Sequence, residues 1–161
     1  MPHLYNTALL IGAALSAIAA LLHIWVIAAG PRGYRLCGAG DRFIKAAEAG
    51  KKFPVVVTAG IALVLFIWAL YALSGAGLIA PLPLLRPALF IITFIYLLRG
   101  VAGPFALRDT GRSQRFIVVS SLICLGFGLV HLLGMTQRWG AVGVTPCCCK
   151  TAINACAAAL R

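Results

Sequence analysis

Four long apolar runs, separated by short polar stretches, follow one another along the chain. They cover about 7–29, 54–74, 84–103 and 116–136. Each is close to the ~20 residues that an α-helix needs to cross ~30 Å of hydrocarbon at 1.5 Å per residue. The second run contains eleven Val, Ile, Leu or Phe residues, which contribute about −3 to −7 kcal/mol to membrane insertion. The pattern predicts an all-α protein, a bundle of four transmembrane helices within 1–136, followed by a cysteine-containing tail at 137–161.

Composition excludes a soluble globular class. The 161 residues are 62% hydrophobic and 11% charged, whereas soluble proteins carry about 25% charged residues. The N-terminal sequence MPHLYNTALL lacks the cationic region of a signal peptide, and the apolar run behind it is longer than a signal-peptide core. We therefore expect a retained first helix.

The cations are concentrated in the first and third connections, which hold ten of the fourteen Lys and Arg residues. The positive-inside rule places these two connections in the cytoplasm and predicts that both termini lie outside. The net charge of +11 would suggest nucleic acid in a soluble protein, but here the cations flank membrane spans, so no nucleic-acid partner is expected. The ten residues are Arg32, Arg35, Arg42, Lys45, Lys51, Lys52, Arg99, Arg108, Arg112 and Arg115.

An internal repeat agrees with this topology. Residues 29–44, AGPRGYRLCGAGDRFI, align without a gap on residues 102–117, AGPFALRDTGRSQRFI, at an offset of 73 with eight identities. Gly-Pro is a natural place for a helix to stop. The repeat predicts two helical hairpins that run in the same sense. About eleven extra residues precede the second span of the first half.

The extra segment of the first half resembles an interfacial helix. Asp41 is a suitable N-cap for a short helix at 42–52, and Asp41–Lys45 and Glu48–Lys52 have the spacing of i,i+4 ion pairs. Phe43, Ile44 and Ala47 form an apolar face. We expect this helix to lie on the bilayer surface and to contact anionic lipids.

Two histidines, His23 and His131, lie inside the first and fourth spans, each next to a face of small residues. One interpretation is helix packing, in which each imidazole hydrogen-bonds to a neighbouring helix. The other is a haem or metal ion between the two side chains. Their depths in the membrane differ by about 13 Å, which one ion with ~2 Å bonds does not span.

A further polar cluster is predicted around the third span. Arg99 either snorkels to the cytoplasmic edge or contacts an anion or cofactor, with Tyr96 one turn away. Because the acids lie on the same side, Arg99 is able to pair with Glu48 or Asp41. The candidate cluster is Arg99, Tyr96, Glu48, Asp41 and Arg42.

The cysteines do not form a C-x-x-C motif, so the signature of a paired-thiol redox enzyme is missing. Cys147, Cys148 and Cys149 are a weak candidate for a soft metal ion such as Cu(I). The alternative is an idiosyncratic tail without a metal, which we favour because no His or acid accompanies the thiols. No cofactor is expected on this basis.

The stretch YRLCGAGDRFIKAAEAGKKFPVVVT, with WALYALSGAG, LPLLRP and YLLRGVAG further on, resembles a family of small four-helix proteins of the bacterial inner membrane. The likeness covers roughly residues 8–136. It implies four spans and a multi-pass inner-membrane location, and it supplies no catalytic residues.

A second resemblance is to the microsomal glutathione-transferase superfamily, the MAPEG proteins. Arg42, Glu48 and Pro54 match an Arg, an acid and a Pro of its cytoplasmic first connection, and Arg99 with Tyr96 would stand near a thiol cofactor. The Asn and His that accompany that motif are missing here.

Three functions follow as hypotheses. The first is a non-enzymatic accessory or structural membrane protein, in a homo-oligomer or with a membrane partner, whose basic cytoplasmic face contacts anionic lipid. The second is a MAPEG-like membrane enzyme that binds glutathione or another anionic thiol. The third, a small transporter, lacks the acid buried in mid-span that such carriers commonly use.

Overall fold

The computed structural model describes residues 5–107 and 111–140, and every regular element in these ranges is helical. Four of the helices are long and apolar enough to cross a membrane, which confirms the all-α prediction with four long apolar helices. The helices are α1 Thr7–Leu36, α2 Asp41–Glu48, α3 Phe53–Ala76, α4 Leu85–Ala106 and α5 Gln114–Gly140. The remaining residues of the predicted tail, 141–161, lie outside the described ranges.

The long helices form two hairpins. Helix α1 packs along α3, and α4 packs along α5. The hairpins join through a smaller contact between α1 and α5 and another between α3 and α4. The short α2 connects α1 to α3 and contacts both. The predicted arrangement of two successive hairpins is therefore present in the fold.

The bundle is inverted relative to a soluble protein, because large hydrophobic side chains lie outside and small ones lie inside. Phe66, Phe90 and Phe94 are each more than half exposed, whereas Ala13 and Ala72 are buried. No hydrophobic effect drives helices together inside a bilayer, so close backbone packing through small residues has to do so. The outer surface is the one that lipid tails would cover.

Helix α1 is longer than the predicted span because the helix is interrupted at one residue and then continues. At Gly30 the backbone leaves the helical region, with φ 60° and ψ −142°, and a helical segment resumes at Pro31 and continues to Leu36. Proline has no N–H to donate to the preceding turn, which explains a break at this point. At the equivalent place in α4, Pro104 stays inside the helix, which runs on to Ala106. The predicted stop at Gly-Pro is thus realised as a kink in the first half only.

Helix α2 begins one residue earlier than predicted. Gly40, with φ 84°, occupies the N-cap position, and Asp41 is the first helical residue. The prediction of Asp41 as the N-cap is therefore wrong by one position. Glycine adopts this positive φ without steric cost, and Asp41 instead places its negative charge in the first turn, where the helix dipole favours it.

Candidate functional site

The two ends of the bundle differ in charge. The repeated segments meet at one end, which we call the α2 end. There Gly38 packs against the ring of Phe116, and Gly111 lies beside Asp41. Eight of the described cations, in addition to Arg99 just inside α4, lie at this end, whereas Arg86 and Arg138 lie at the other. The eight are Arg32, Arg35, Arg42, Lys45, Lys51, Lys52, Arg112 and Arg115.

The opposite end is closed by hydrogen bonds between the helices. Asn6 caps α1 by accepting from the Leu9 N–H at 2.9 Å, and its side chain donates to the Gly134 carbonyl at 2.7 Å. Its backbone N–H donates to Ala76 at 3.0 Å. The Arg138 guanidinium donates to the Gly75 carbonyl. Polar groups at this end are therefore used to hold α1, α3 and α5 together.

A polar core lies between the two ends, inside the bundle. The hydroxyls of Ser16 and Tyr96 are 3.0 Å apart and connect α1 to α4. The Tyr96 ring makes edge contacts with Trp68 and Phe127, at centroid distances of 4.9 and 5.5 Å. One phenol thus contacts side chains from three other helices, which makes Tyr96 a packing centre of the bundle.

His131 is completely buried beside this core. Its Nδ1 lies 2.8 Å from the Phe127 carbonyl, and a carbonyl only accepts, so Nδ1 must carry the proton in the neutral ring. The other nitrogen, Nε2, then carries a lone pair, and it has no hydrogen-bond partner among the described residues. The ring edge packs on Gly12 of α1, where an added Cβ would lie 2.8 Å from Cε1.

His23 has a different environment. It is half-buried, and its Nδ1 lies 2.7 Å from the Ala19 carbonyl. His131 contacts α1 at Gly12, and His23 is eleven residues further along, which is about 16 Å of helix rise. The structure therefore does not bring the two histidines together. Within the described residues no group of three or more His, Cys, Asp or Glu side chains is placed to hold a metal ion, and Cys147, Cys148 and Cys149 lie outside them.

The residues of the predicted polar cluster also separate. Half-buried Arg99 donates to the Ser121 hydroxyl at 3.4 Å, whereas the Tyr96 hydroxyl faces Ser16. Glu48 forms an ion pair with Arg35. The structure thus contains Arg35–Glu48, where the sequence allowed Arg99–Glu48. Burial, and then the positive charge of Arg99, lower the pKa of Arg112.

The surface of α2 has three sectors: an apolar one, one that carries the acids and one that carries cations. Phe43 faces the bundle and stacks between Tyr34 and Phe53, at centroid distances of 6.4 and 5.4 Å. The acids Asp41 and Glu48 lie on a second side, next to Gly111 and Arg35. Neither of the predicted i,i+4 ion pairs is formed. For Glu48–Lys52 the reason is that α2 ends at Glu48, so Lys52 lies beyond it.

The third sector of α2 borders a groove of about 460 Å³. Arg42, Lys45, Ala46 and Ala49 have the i, i+3, i+4, i+7 spacing of one helix face. Lys51 and Phe53 complete the lining, and the Arg42 guanidinium lies over the Phe53 ring, 5.9 Å from its centre. Three cations without an acid therefore surround an alanine floor and one aromatic ring.

Sequence reasoning identified Arg42 but missed its partners in this groove. The signal was present in the spacing of Arg42, Lys45, Ala46 and Ala49. It is obscured because both cations also fit other interpretations. Lys45 has the spacing of an ion pair with Asp41, and Arg42 is one of the cations that indicate topology. The chain after Glu48 has to turn back before Lys51 and Phe53 meet that face, and spacing alone does not specify such a turn.

In comparisons with known proteins, no protein-family model, no curated protein and no solved structure matches this chain.

Proposed function

We propose that the chain is a multi-pass protein of the bacterial inner membrane with an accessory or structural role, belonging to the family of small four-helix membrane proteins that it resembles. Its α2 end faces the cytoplasm and contacts the anionic leaflet. The observation that carries this proposal is the division of charge between the two ends of a bundle with four apolar helices.

The cations support this orientation through the positive-inside rule, which depends on Lys and Arg near the ends of the spans. Anionic lipid attracts such residues by about 1 kcal/mol for each cation near the surface. Among the described residues, eight cations at one end and two at the other therefore give a large preference for one orientation. The amphipathic α2, with Phe43 and Ile44 half-buried on one side, suits the interfacial layer of the same leaflet.

The use of the interior polar groups supports a structural role. Ser16 and Tyr96 bind each other across two helices, and Thr93 donates to the Leu89 carbonyl at 2.7 Å in its own helix. The first of these contacts joins α1 to α4 and so stabilises helix association in a bilayer, whereas the second only satisfies the Thr93 hydroxyl within α4. We expect a partner for this scaffold in a second copy or in another membrane protein.

Orientation is tested by cysteine labelling in intact cells with a maleimide that does not cross the membrane. The variant retains Cys37, at the α2 end, as its only thiol, and the matched variant carries a single cysteine as Leu78→Cys, at an exposed position of the opposite end. We expect labelling of the second and not of the first. Labelling of Cys37 from outside would overturn the orientation.

The labelling needs one control for reactivity. Burial raises the pKa of the Cys37 thiol, so less thiolate is present at a given pH and the maleimide reaction is slower. Cys37 must therefore be shown to react in permeabilised cells at pH about 8.5 to 9.

The accessory role has its own test. Purified protein is titrated with glutathione in a calorimeter, with the Arg99→Ala variant as the matched control. We expect no heat of binding from either protein. Binding that is lost in the variant would replace the structural role with the thiol-dependent enzyme.

A further inference from the structure

Helix α2 separates its charges by sign, and this separation leaves cations without acids. Asp41 lies beside Gly111, and Glu48 is paired with Arg35. Within residues 5–107 and 111–140 that ion pair is the only one, so Arg42, Lys45 and Lys51 have no carboxylate partner there. Three like charges around one groove repel one another, and an anion in the groove would relieve this repulsion.

We propose that this groove binds the phosphate headgroup of one anionic phospholipid, whose acyl chains lie along the outer face of α3. The inference rests on the proposed function only in that the α2 end must lie at a membrane surface. It goes further in assigning a defined site to three cations, in contrast to a diffuse attraction shared by all eight.

The headgroup contacts follow from the lining. A guanidinium offers a planar fork that matches two phosphate oxygens, and the two ammonium groups of the lining add point charges. Arg42 is already oriented, because its guanidinium lies over the Phe53 ring. A preoriented side chain loses less entropy when it binds. Ala46 and Ala49 keep the floor low enough for the phosphate to approach.

The path of the acyl chains identifies the occupant as a lipid. Phe53 lines the groove and also begins a stripe on α3 that continues through Val56 to Gly60, with i, i+3, i+7 spacing. All three residues are exposed. Apart from Gly60, its two chain neighbours and the adjacent backbone of α3, no described atom lies within 4 Å of the position that a Cβ on Gly60 would take. The charged groove and an open apolar surface are therefore continuous. A soluble phosphate would use only the first of them.

The zwitterionic lipids are disfavoured by the same lining. Their headgroup amine would enter a site that already contains three cations and, among the described residues that line it, no acid. Phosphatidylglycerol presents its phosphate without such an amine, so it is the lipid that the groove should retain.

The test measures lipid retention by native mass spectrometry of the full chain in detergent, with phosphatidylglycerol or phosphatidylcholine added. The site variant is Arg42→Gln, Lys45→Gln and Lys51→Gln. The control variant, Arg32→Gln, Lys52→Gln and Arg115→Gln, removes the same charge from exposed residues of the α2 end outside the groove. Helix content by circular dichroism shows whether each variant is folded.

We expect one phosphatidylglycerol per chain, with affinity lowered at least about tenfold in the site variant and less than about threefold in the control. Equal losses in the two variants would overturn the defined site and leave only diffuse attraction. Equal retention of phosphatidylcholine would overturn the selectivity for anionic lipid.

A second variant separates the lipid from a soluble anion and keeps all the cations. Gly60→Leu adds bulk to the outer stripe of α3 and should weaken phosphatidylglycerol retention. Soluble glycerol phosphate should displace the lipid only at a far higher concentration. If it displaces the lipid at equal concentration, and Gly60→Leu has no effect, the site is one for a free phosphate.

The two proposals fail separately. Lipid retention in detergent does not depend on orientation, so an inverted labelling result would move the site to the outer leaflet without removing it. Loss of selectivity in the groove, with correct labelling, would leave the proposed function intact.

Discussion

The two halves of the bundle begin from the same repeated segment and end differently. In each half, a glycine with a left-handed backbone conformation lies shortly after the first helix of the hairpin. These glycines are Gly38, with φ 57°, and Gly111, with φ 69°. The next shared residues, Arg-Phe-Ile, begin α5 directly in the second half. In the first half they belong to α2, and the chain needs another turn before α3.

This difference separates two roles of the cations. Arg35 and Arg42 have counterparts 73 residues later, at Arg108 and Arg115. Topology accounts for this recurrence, and of the two only Arg42 also lines the groove. Lys51 and Phe53 lie in the extra segment and have no such counterpart. The groove therefore exists only in the half that inserts α2. The repeat accounts for the two similar hairpins, and the segment inserted before α3 provides the candidate site.

The largest effect is expected where the two halves contact each other unequally. Gly38→Ala should lower the free energy of unfolding by about 2–4 kcal/mol, because it adds left-handed backbone strain to a clash with Phe116. The added Cβ would lie 2.9 Å from that ring. Gly111→Ala meets Asp41 at an ordinary 3.7 Å and should cost only the strain, about 1–2 kcal/mol.

Both variants are measured by unfolding in mixed detergent micelles followed by circular dichroism. Equal losses would mean that the repeated glycines have equivalent surroundings, contrary to the packing of Gly38 on Phe116.

The contact between the halves in the bundle interior gives the next prediction. Gly12→Ala should destabilise by about 1–3 kcal/mol, since the new Cβ would meet the buried His131 ring. Gly60→Ala is the matched control, because its Cβ would lie in open space. His131→Ala in the Gly12→Ala background should cost less than His131→Ala alone. Additive losses in that double-mutant cycle would show that the two residues do not interact.

The hydrogen bond between the halves should contribute less. Tyr96→Phe keeps the ring contacts with Trp68 and Phe127 and removes the hydroxyl that faces Ser16. We expect a loss of about 0.6–1.7 kcal/mol, the size measured for interhelical hydrogen bonds in membrane proteins. Tyr71→Phe, whose exposed hydroxyl donates to Pro83 at 3.4 Å, is the control. A larger effect of the Tyr71 variant in the same unfolding assay would contradict the role of Tyr96 in joining α1 to α4.

The smallest effect concerns the inserted segment. Glu48→Gln breaks the Arg35–Glu48 pair, in which both side chains are substantially exposed, 62% for Arg35 and 40% for Glu48. Exposed pairs contribute about 0–1 kcal/mol and are screened by salt. In the same assay, the variant and the unchanged protein should differ in free energy of unfolding at low salt and should not differ at high salt. A loss that persists at high salt would assign Glu48 a buried structural role.

The fold was largely readable from local patterns. Runs of about twenty apolar residues predict spanning helices because each such helix satisfies its own backbone hydrogen bonds. The ends were less accurate: α5 continues to Gly140, and α1 passes through Gly30 as a kink. Where a helix ends depends on whether the neighbouring segments leave room for another turn, and hydropathy does not specify this.

The candidate site was predictable only in part. Arg42 was selected, but Lys45, Lys51 and Phe53 were not seen as its neighbours. Arg99 and Glu48 were expected near each other, and each has a different partner. Pairing among long charged side chains at a helix-rich surface depends on a few ångströms of position, and many pairs are compatible with the same topology.

The sequence by itself determined how many helices are long and apolar enough to span, where the cations fall relative to them, and that a segment is repeated. These are properties of composition and spacing along one chain. Only the tertiary structure decided how the two hairpins pack against each other, that His131 packs on Gly12 with no partner for Nε2 among the described residues, and that α2 turns its acids away from its cations. Those depend on the relative placement of separate helices, and inside a bilayer that placement is set by close packing of small residues, since all the apolar faces attract lipid equally.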